Sequence, residues 1–339
     1  MTEQQEKIRR WLVSELAWEN AEFAGPLSGG NSNLTWRFNG TPGDCVVRTI
    51  PMESISPSSA RGIERESTVL KLVEGKVKAP KLLAWCSDID VIGRPFSVQE
   101  YVKGVSVTDQ LPSAYAHCAN SVNALGTDMI SHLADIHAIP ADTPGVSALG
   151  RPEHFIQRQI ERWLKVRHQD VARPLPTLFS LGEWLLANIP ALERATLIHG
   201  DYHLDNTLSD VEEPRINAII DWELATIGSP HMDLGLALLF WGDYRTVSPP
   251  GFAHLQSISR HSDALSRHDL AKQWSQLTGL SLEHMDYYMA LAAWRLAAIV
   301  EGAFCLYKAG KVDSAYAAGL EHDVPALLGE ALQASQGHW

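Results

Sequence analysis

The stretch His199 to Leu208 reads His-Gly-Asp-Tyr-His-Leu-Asp-Asn-Thr-Leu, and the apolar run Ile216 to Ile220 beyond it ends in Asp221-Trp222-Glu223. A carboxylate therefore falls in a turn, an amide follows five residues later, and a second carboxylate stands at the tip of a strand-like segment. These are the groups that phosphoryl transfer requires. A γ-phosphoryl group passing to a hydroxyl needs little covalent work from a protein, because positioning and neutralisation of charge by magnesium do most of it. Asp201 would orient the acceptor hydroxyl and take its proton, and Asn206 and Asp221 would hold the metal. Singly, each of the three could be a turn cap or an ordinary loop amide. The His-x-Asp-x4-Asn spacing, followed by an apolar strand ending in Asp, points to a joint role.

The elements that must position them are legible around the motif. Leu197-Ile198 is a short apolar entry, and Asp210 to Pro214 supplies turn chemistry before the next strand. Pairing of Thr207–Ser209 with Ile216–Ile220 as a hairpin would bring Asn206 and Asp221 side by side at its open end. Upstream, Ile8, Trp11, Leu12 and Leu16 mark a helix over Glu6–Trp18, and strands are expected over Thr35–Phe38 and Cys45–Ile50. The small-residue loop Leu27–Leu34 precedes the first of these strands, where backbone N–H groups can approach phosphates. In a helix over Ala60–Glu74, Glu66 shares the inward stripe of Ile63, Leu70 and Val73. A carboxylate on that face needs a cation, and Arg48 on the preceding strand is the expected partner, with Arg65 or Lys71 as alternatives on the exposed face. Two more strands are expected over Lys81–Trp85 and Phe96–Tyr101, after which helical periodicity dominates from Ala124 onward. The fold class is therefore α+β, with a small β-rich lobe over 1–102 and a larger, mainly helical lobe over 103–339.

Composition bounds the function. With 339 residues, 45% hydrophobic and 20% charged, the chain can bury a large core in two lobes. The net charge is −12, of which −11 falls after Val102, and no basic tract offsets it, so a general nucleic-acid partner is not expected. Cys45, Cys86, Cys118 and Cys305 are scattered without C-x-x-C spacing and the start is polar, which fits a reducing cytoplasm. The longest apolar stretch, Tyr287 to Tyr307, is interrupted by Arg295 and Glu301, and a buried helix is expected there rather than a membrane span. His132 and His137 flank Asp135 on one helix without a third ligand, so core or surface roles are expected rather than metal. His199 is expected to stabilise its turn.

Four stretches carry a resemblance: Gly29-Gly-Asn-Ser-Asn33, Val91-Ile-Gly-Arg-Pro-Phe96, Leu197-Ile-His-Gly-Asp-Tyr-His-Leu-Asp-Asn206, and Ile220-Asp-Trp-Glu-Leu-Ala-Thr-Ile-Gly-Ser-Pro230. In this order, from about Leu27 to Gly310, the chain resembles the aminoglycoside phosphotransferase and choline kinase group of small-molecule kinases. Within it, the chain looks similar to the kinase-like domains that some proteins fuse to acyl-CoA dehydrogenases. The resemblance implies a bilobal, protein-kinase-like fold using ATP and Mg2+. It makes Asp201 the catalytic base and Asn206 and Asp221 the magnesium ligands. Ser28, Gly29, Gly30, Asn31, Ser32 and Asn33 would lie over the phosphates, and Arg48 would bridge a phosphate to Glu66. The backbone of Glu100, Tyr101 and Val102 would meet adenine, and Asp233 would brace the catalytic turn. Two positions depart from the pattern: Arg48 stands where kinases generally place lysine, and His203 where similar chains often carry arginine. His203, Arg295 and Glu301 are the candidates for acceptor contact, with ion pairing of Arg295 and Glu301, to each other or to a neighbouring group, as the alternative. The implied acceptor is a small-molecule hydroxyl, on a hydroxy acid or hydroxyacyl thioester. An aminoglycoside or amino alcohol, or a non-catalytic nucleotide-binding role, are the alternatives.

Overall fold

The computed structural model describes residues 1–27, 33–51, 57–118, 120–170, 172–243, 257–260 and 264–339, with 57–60 as backbone alone. The fold is mixed α+β and divides into two compact units. The first comprises Met1–Gly104 with Asn217–Ala225, and the second Val105–Ile216 with Thr226–Trp339.

In the first unit, α1 (Glu3–Glu15) begins on a capping box, in which Thr2 Oγ1 accepts from the Gln5 N–H and the Gln5 side chain accepts from the Thr2 N–H. Its apolar stripe places Ile8 and Leu12 in the core, and Trp11 meets Phe96 edge-on at 5.0 Å. Strands β1 (Asn20–Pro26), β2 (Leu34–Thr41), β3 (Cys45–Thr49), β4 (Leu82–Cys86) and β5 (Phe96–Glu100) form one antiparallel sheet in the order β1-β2-β3-β5-β4. The sequence reading does not anticipate β1. Only Ala21 of its residues is buried, so no alternation of large apolar side chains marks it, and pairing with β2 makes it a strand. Helix α2 (Pro57–Val73) buries Ile63, Glu66, Leu70 and Val73 on one stripe, as the spacing predicts. A short α3 (Ile89–Ile92) ends at Gly93, whose φ of 83° is the left-handed stop that glycine supplies.

Residues 217–225, expected with the C-terminal lobe, belong to the first unit. Hydrogen bonds explain this: the Ile219 N–H donates to Lys78 O at 2.8 Å, Asn217 Nδ2 to Lys103 O at 3.1 Å, and Arg65 Nη1 to Ala225 O at 2.9 Å. Arg65 is thereby committed to a backbone carbonyl.

The second unit is built from α4 (Ser121–His137), α5 (Phe155–Gln169), α6 (Pro176–Ala187), α7 (His231–Leu239), α8 (Arg267–Thr278), α9 (Met285–Lys308) and α10 (Ala315–Ser335). Strand β6 (Thr196–Ile198) runs antiparallel to β9 (Thr226–Gly228). Strand β7 (Thr207–Ser209) and β8 (Ile216–Ile219), of which only Ile216 is counted in this unit, pair as the predicted hairpin, turned by Asp210, whose Oδ1 accepts the N–H groups of Glu212 and Glu213 at 2.8 and 3.2 Å. Helix α9 is long and apolar enough to cross a membrane by length and composition, yet most of that stretch is buried here. Trp294 donates from Nε1 to Leu178 O at 2.7 Å, and Tyr287 from its hydroxyl to Leu185 O at 3.1 Å. Gly235 lets α7 approach α9, since a Cβ there would stand 2.7 Å from Tyr288 O.

Candidate active site

The turn after β6 is held from beneath. Asp233, in the first turn of α7, accepts the His199 N–H at 2.6 Å and the Gly200 N–H at 2.8 Å, one on each carboxylate oxygen. Gly200 has φ 85°, a conformation that lets the chain reverse at this point and that a side chain would strain. Behind Asp233, His137 Nε2 lies 3.4 Å from Oδ2, and Trp274 Nε1 donates to His137 Nδ1 at 3.0 Å. Because Nδ1 accepts, the imidazole proton sits on Nε2 and faces Asp233. His137, Asp233 and Trp274 are all buried, so the turn rests on a satisfied polar network. His199 is fully buried and accepts the Asp201 N–H on Nδ1 at 3.3 Å, which is the turn-stabilising geometry expected of it.

Asp201 and Asn206 are locked together. Asn206 Nδ2 donates to Asp201 O at 2.7 Å and to Asp201 Oδ2 at 3.1 Å, so the amide oxygen is the atom left to meet a metal. His203 stacks on Phe240 at 4.6 Å, with Nε2 3.8 Å from Asp201 Oδ1 and Nδ1 3.9 Å from Asp205 Oδ2. Burial pushes the Asp201 carboxyl up, but His203, with the charges of His199 and Arg295, outweighs it and holds the group at about 2. Asp201 is therefore ionised throughout the neutral range.

The expected acceptor contacts separate. Arg295, half-buried on α9, brings both terminal nitrogens to Gly200 O at 3.3 Å, immediately before Asp201. Its Nε has no hydrogen-bond partner among the described residues. Glu301 needs correction: it is fully buried, pairs with Arg173 at 3.0 Å and accepts the Ala172 N–H at 3.4 Å. The connection between α5 and α6 supplies both partners, so Glu301 serves packing and does not contact an acceptor. The ion-pair alternative holds for Glu301, with Arg173 and not Arg295 as the partner.

The remaining site residues lie in the first unit. Arg48 donates from Nη1 to Glu66 Oε1 and from Nη2 to Asp221 Oδ1 at 2.9 Å. Thr35 on β2 and Ser97 on β5 flank Arg48 in the sheet, which fixes its face. Asp221 has φ 67° and ψ 54°, a left-handed conformation that aspartate tolerates better than most side chains. Buried Trp222 anchors that turn by donating from Nε1 to Ile219 O at 2.9 Å. Glu223 accepts from Asn33 Nδ2 at 2.8 Å. Burial would loosen the Arg48 proton, but Glu66, Asp221 and Glu223 outweigh that and keep the guanidinium charged. Glu66 is pushed up, first by burial and then by Asp221 and Glu223, against the pull of Arg48.

Glu66, Asp221 and Glu223 all act on the one guanidinium, and carboxylate oxygens are the ligands a divalent cation takes. Among the described residues no group of three His, Cys, Asp or Glu is gathered as a complete metal cage. Magnesium commonly takes one or two carboxylates and completes its shell with phosphate oxygens and water, so the residues present fit it. His132 instead sits between Asp128 at 3.5 Å and Asp135 at 3.1 Å.

Ser28, Gly29, Gly30, Asn31 and Ser32 lie outside the described residues. At the other expected nucleotide contact, the Glu100 N–H donates to Lys81 O at 2.8 Å and the Tyr101 N–H to Asp44 O at 3.2 Å. Sheet pairing uses these two donors, and Val102 is the first of the three expected residues beyond them. Glu223 and His137 escape the sequence reading as site residues. Glu223 stands two residues after Asp221, a spacing that could have flagged it, whereas His137 needs α4 placed against α7 before its role is visible.

Arg48 and Glu66 should unfold as a unit. Breaking a buried pair from one side costs about 3–5 kcal/mol because the other charge is left uncompensated. Arg48→Ala, Glu66→Ala and the double variant, compared by denaturant unfolding, should be non-additive by about 0.5–3 kcal/mol. Strict additivity would mean the contact contributes nothing to stability.

The sequence matches the family model described as the phosphotransferase enzyme family (APH) over residues 24–266. Acyl-CoA dehydrogenase family member 10 of Mus musculus is 29% identical over 294 residues, which is 85% of this chain and 27% of that protein. Acyl-CoA dehydrogenase family member 11 of Homo sapiens is 30% identical over 289 residues, 84% of this chain and 36% of that protein. The chain thus spans only about a third of the length of these curated relatives. A candidate aminoglycoside phosphotransferase from Ralstonia eutropha JMP134 has a similar structure, with a TM-score of 0.78 at 28% identity over 98% of both chains. The GDP complex of aminoglycoside 2'-phosphotransferase-IIIa shares the fold at a TM-score of 0.63 and 17% identity, over 99% of this chain and 100% of that one.

Proposed function

The chain belongs to the phosphotransferase enzyme family, and from that premise we propose that it is an ATP- and magnesium-dependent kinase acting on the hydroxyl of a small molecule. One observation carries the reading: the Asp201–Asn206 clasp on a turn braced by Asp233. Asp201 accepts a hydrogen bond from the acceptor hydroxyl and aims its oxygen at phosphorus. A carboxyl held at about 2 is too weak a base to strip an alcohol in advance. It receives the proton as the new P–O bond forms and the bond to the leaving phosphate oxygen breaks. Asn206, through its amide oxygen, and Asp221 would hold magnesium, which would supply charge neutralisation on the phosphates. Arg48, fixed by Glu66 and Asp221, presents its guanidinium to a phosphate oxygen, and the Val102 backbone meets the base. Retention of Asp201, Asn206 and Asp221 speaks against a non-catalytic role. The free cysteines suit a reducing cytoplasm, and the partner is a small molecule rather than nucleic acid or membrane.

The acceptor is a hydroxy acid or hydroxyacyl thioester. Support comes from the acyl-CoA dehydrogenase names of the curated relatives and from Arg295, a guanidinium with donors to spare just before Asp201. Such a cation favours a carboxylate or thioester oxygen and repels a polycationic drug. Nucleotide consumption should be measured with aminoglycosides, amino alcohols, hydroxy acids and hydroxyacyl-CoA esters. Turnover is expected with the last two classes, and Arg295→Ala should raise KM for them while leaving KM for ATP unchanged. Efficient aminoglycoside phosphorylation with no turnover of any hydroxy acid or ester would replace this acceptor and leave the kinase assignment standing.

A further inference from the structure

Helix α9 presents an outward face that is apolar where a surface helix ordinarily turns polar. Helices α5, α6, α7 and α10 pack around its other faces. Trp294 and Glu301 are held inward by Leu178 O and Arg173. What remains beyond Arg295 is Leu296, Ile299, Gly302, Ala303 and Leu306, at intervals that place them on one stripe. Ile299 and Leu306 are 37% and 44% exposed, and the other three are half-buried. Solvent favours charged or polar side chains at such positions, yet none of the five is either. A contiguous apolar face of this kind marks an interaction site or a ligand groove.

One end of the stripe indicates what lies on it. Arg295 opens it, with both terminal nitrogens 3.3 Å from Gly200 O, the carbonyl before Asp201. The catalytic turn and the stripe are thus continuous, and both belong to the second unit. Charge is unevenly placed along this path. Arg295 feels the carboxylates of Asp201 and Asp233 and the like charge of Arg162 on α5, whereas the stripe from Leu296 to Leu306 carries no charge. A ligand matched to it has an anionic or strongly polar head at Arg295 and an uncharged apolar tail beyond. On one flank, a Cβ at Gly302 would stand 3.4 Å from Arg167 Nη2, so α5 stands along that edge and a larger residue at 302 would crowd it.

We infer that this face of α9 seats an extended apolar acyl chain, that of the acceptor, with its carboxylate or thioester head at Arg295 and its hydroxyl at Asp201. This rests on the kinase reading above and names the tail of its acceptor. From Arg295 to Leu306 the helix rises about 16 Å, room for an extended chain of about twelve carbons, and Ile299 lies about 6 Å along it. Because Arg295 adjoins the catalytic turn, the hydroxyl sits within a few carbons of the head. Covering each methylene against such a face favours the longer acceptor by about two- to fourfold.

The test is a series of hydroxy acids with the hydroxyl at one fixed position and tails of about four to twelve carbons, assayed for kcat/KM on the full chain with ATP and magnesium. Calorimetry with the matching acids that lack the hydroxyl, and so cannot be phosphorylated, reads the stripe without turnover. Ile299→Asn and Leu306→Asn are neutral changes at exposed positions, so the charge at Arg295 is untouched, and thermal unfolding checks that both variants fold. In the wild type kcat/KM should climb with tail length by that factor per carbon while KM for ATP stays constant. Ile299→Asn should halt the climb at about five carbons, and Leu306→Asn only for the longest members. A flat series at measurable turnover, or an equal effect of both variants at every length, would overturn the seat on α9 and leave the kinase reading standing. Binding that strengthens with length and is cut back by the variants, with no turnover of any hydroxy acid, would refute the hydroxy acid as acceptor while keeping the apolar seat. A flat series together with a solution mass that falls in Ile299→Asn, or with adhesion to phosphatidylcholine vesicles that this variant loses, would assign the face to a second copy or to a lipid surface instead.

Discussion

Asp201→Asn is expected to leave nucleotide affinity close to that of the wild type and to lower turnover by about a thousandfold, within the 10²–10⁴ range that a positioned acid or base contributes. The substitution is close to isosteric. The bond from Asn206 Nδ2 to Asp201 O at 2.7 Å involves the main chain and survives, as does the Asp233 brace on His199 and Gly200. What would disappear is the carboxylate proposed to orient the acceptor hydroxyl and take its proton, together with the oxygen that His203 Nε2 faces at 3.8 Å. Calorimetry with ATP reports the first half of the expectation and a coupled ADP assay on the true acceptor the second. Near wild-type turnover in the folded variant would show that another group receives the proton.

The site was legible where chemistry and periodicity coincide. Asp201, Asn206 and Asp221 stand out as candidates by spacing, and Glu66 by its place on a helical stripe that otherwise carries Ile63, Leu70 and Val73. The partner of Glu66 followed from the sheet, since a carboxylate facing a core admits few cations and Arg48 is on the adjacent strand. Legibility failed where long-range packing decides. Arg295 and Glu301 look alike in sequence, two charges on one apolar helix, yet one meets the catalytic turn and the other is neutralised by Arg173 from the α5–α6 connection. No local signal distinguishes them. Strand β1 was silent for a related reason: one buried residue gives no alternation, and β2 alone makes it a strand. The return of residues 217–225 to the first unit depends on bonds to Lys78, Lys103 and Arg65, each far away in sequence.

Asp221→Ala is expected to abolish the magnesium effect on ATP affinity, which corresponds to a loss of roughly two orders of magnitude in metal-dependent binding. Removing an outer partner of a metal ligand already costs about 10–100-fold, so removing a ligand itself falls at or beyond the upper end. Asn206, which is neutral, cannot replace the charge. The same carboxylate takes Arg48 Nη2 at 2.9 Å, so the alanine variant also leaves that guanidinium with Glu66 as its direct partner. Backbone geometry adds a second effect, because alanine at φ 67° is more strained than aspartate or asparagine. Asp221→Asn is therefore the sharper instrument. It keeps an acceptor for Arg48 and a residue suited to the left-handed turn, and it removes only the charge. Both variants should lose the magnesium dependence, and Asp221→Asn should melt at a higher temperature than Asp221→Ala. If Asp221→Asn binds ATP with the wild-type response to magnesium, the metal is held elsewhere.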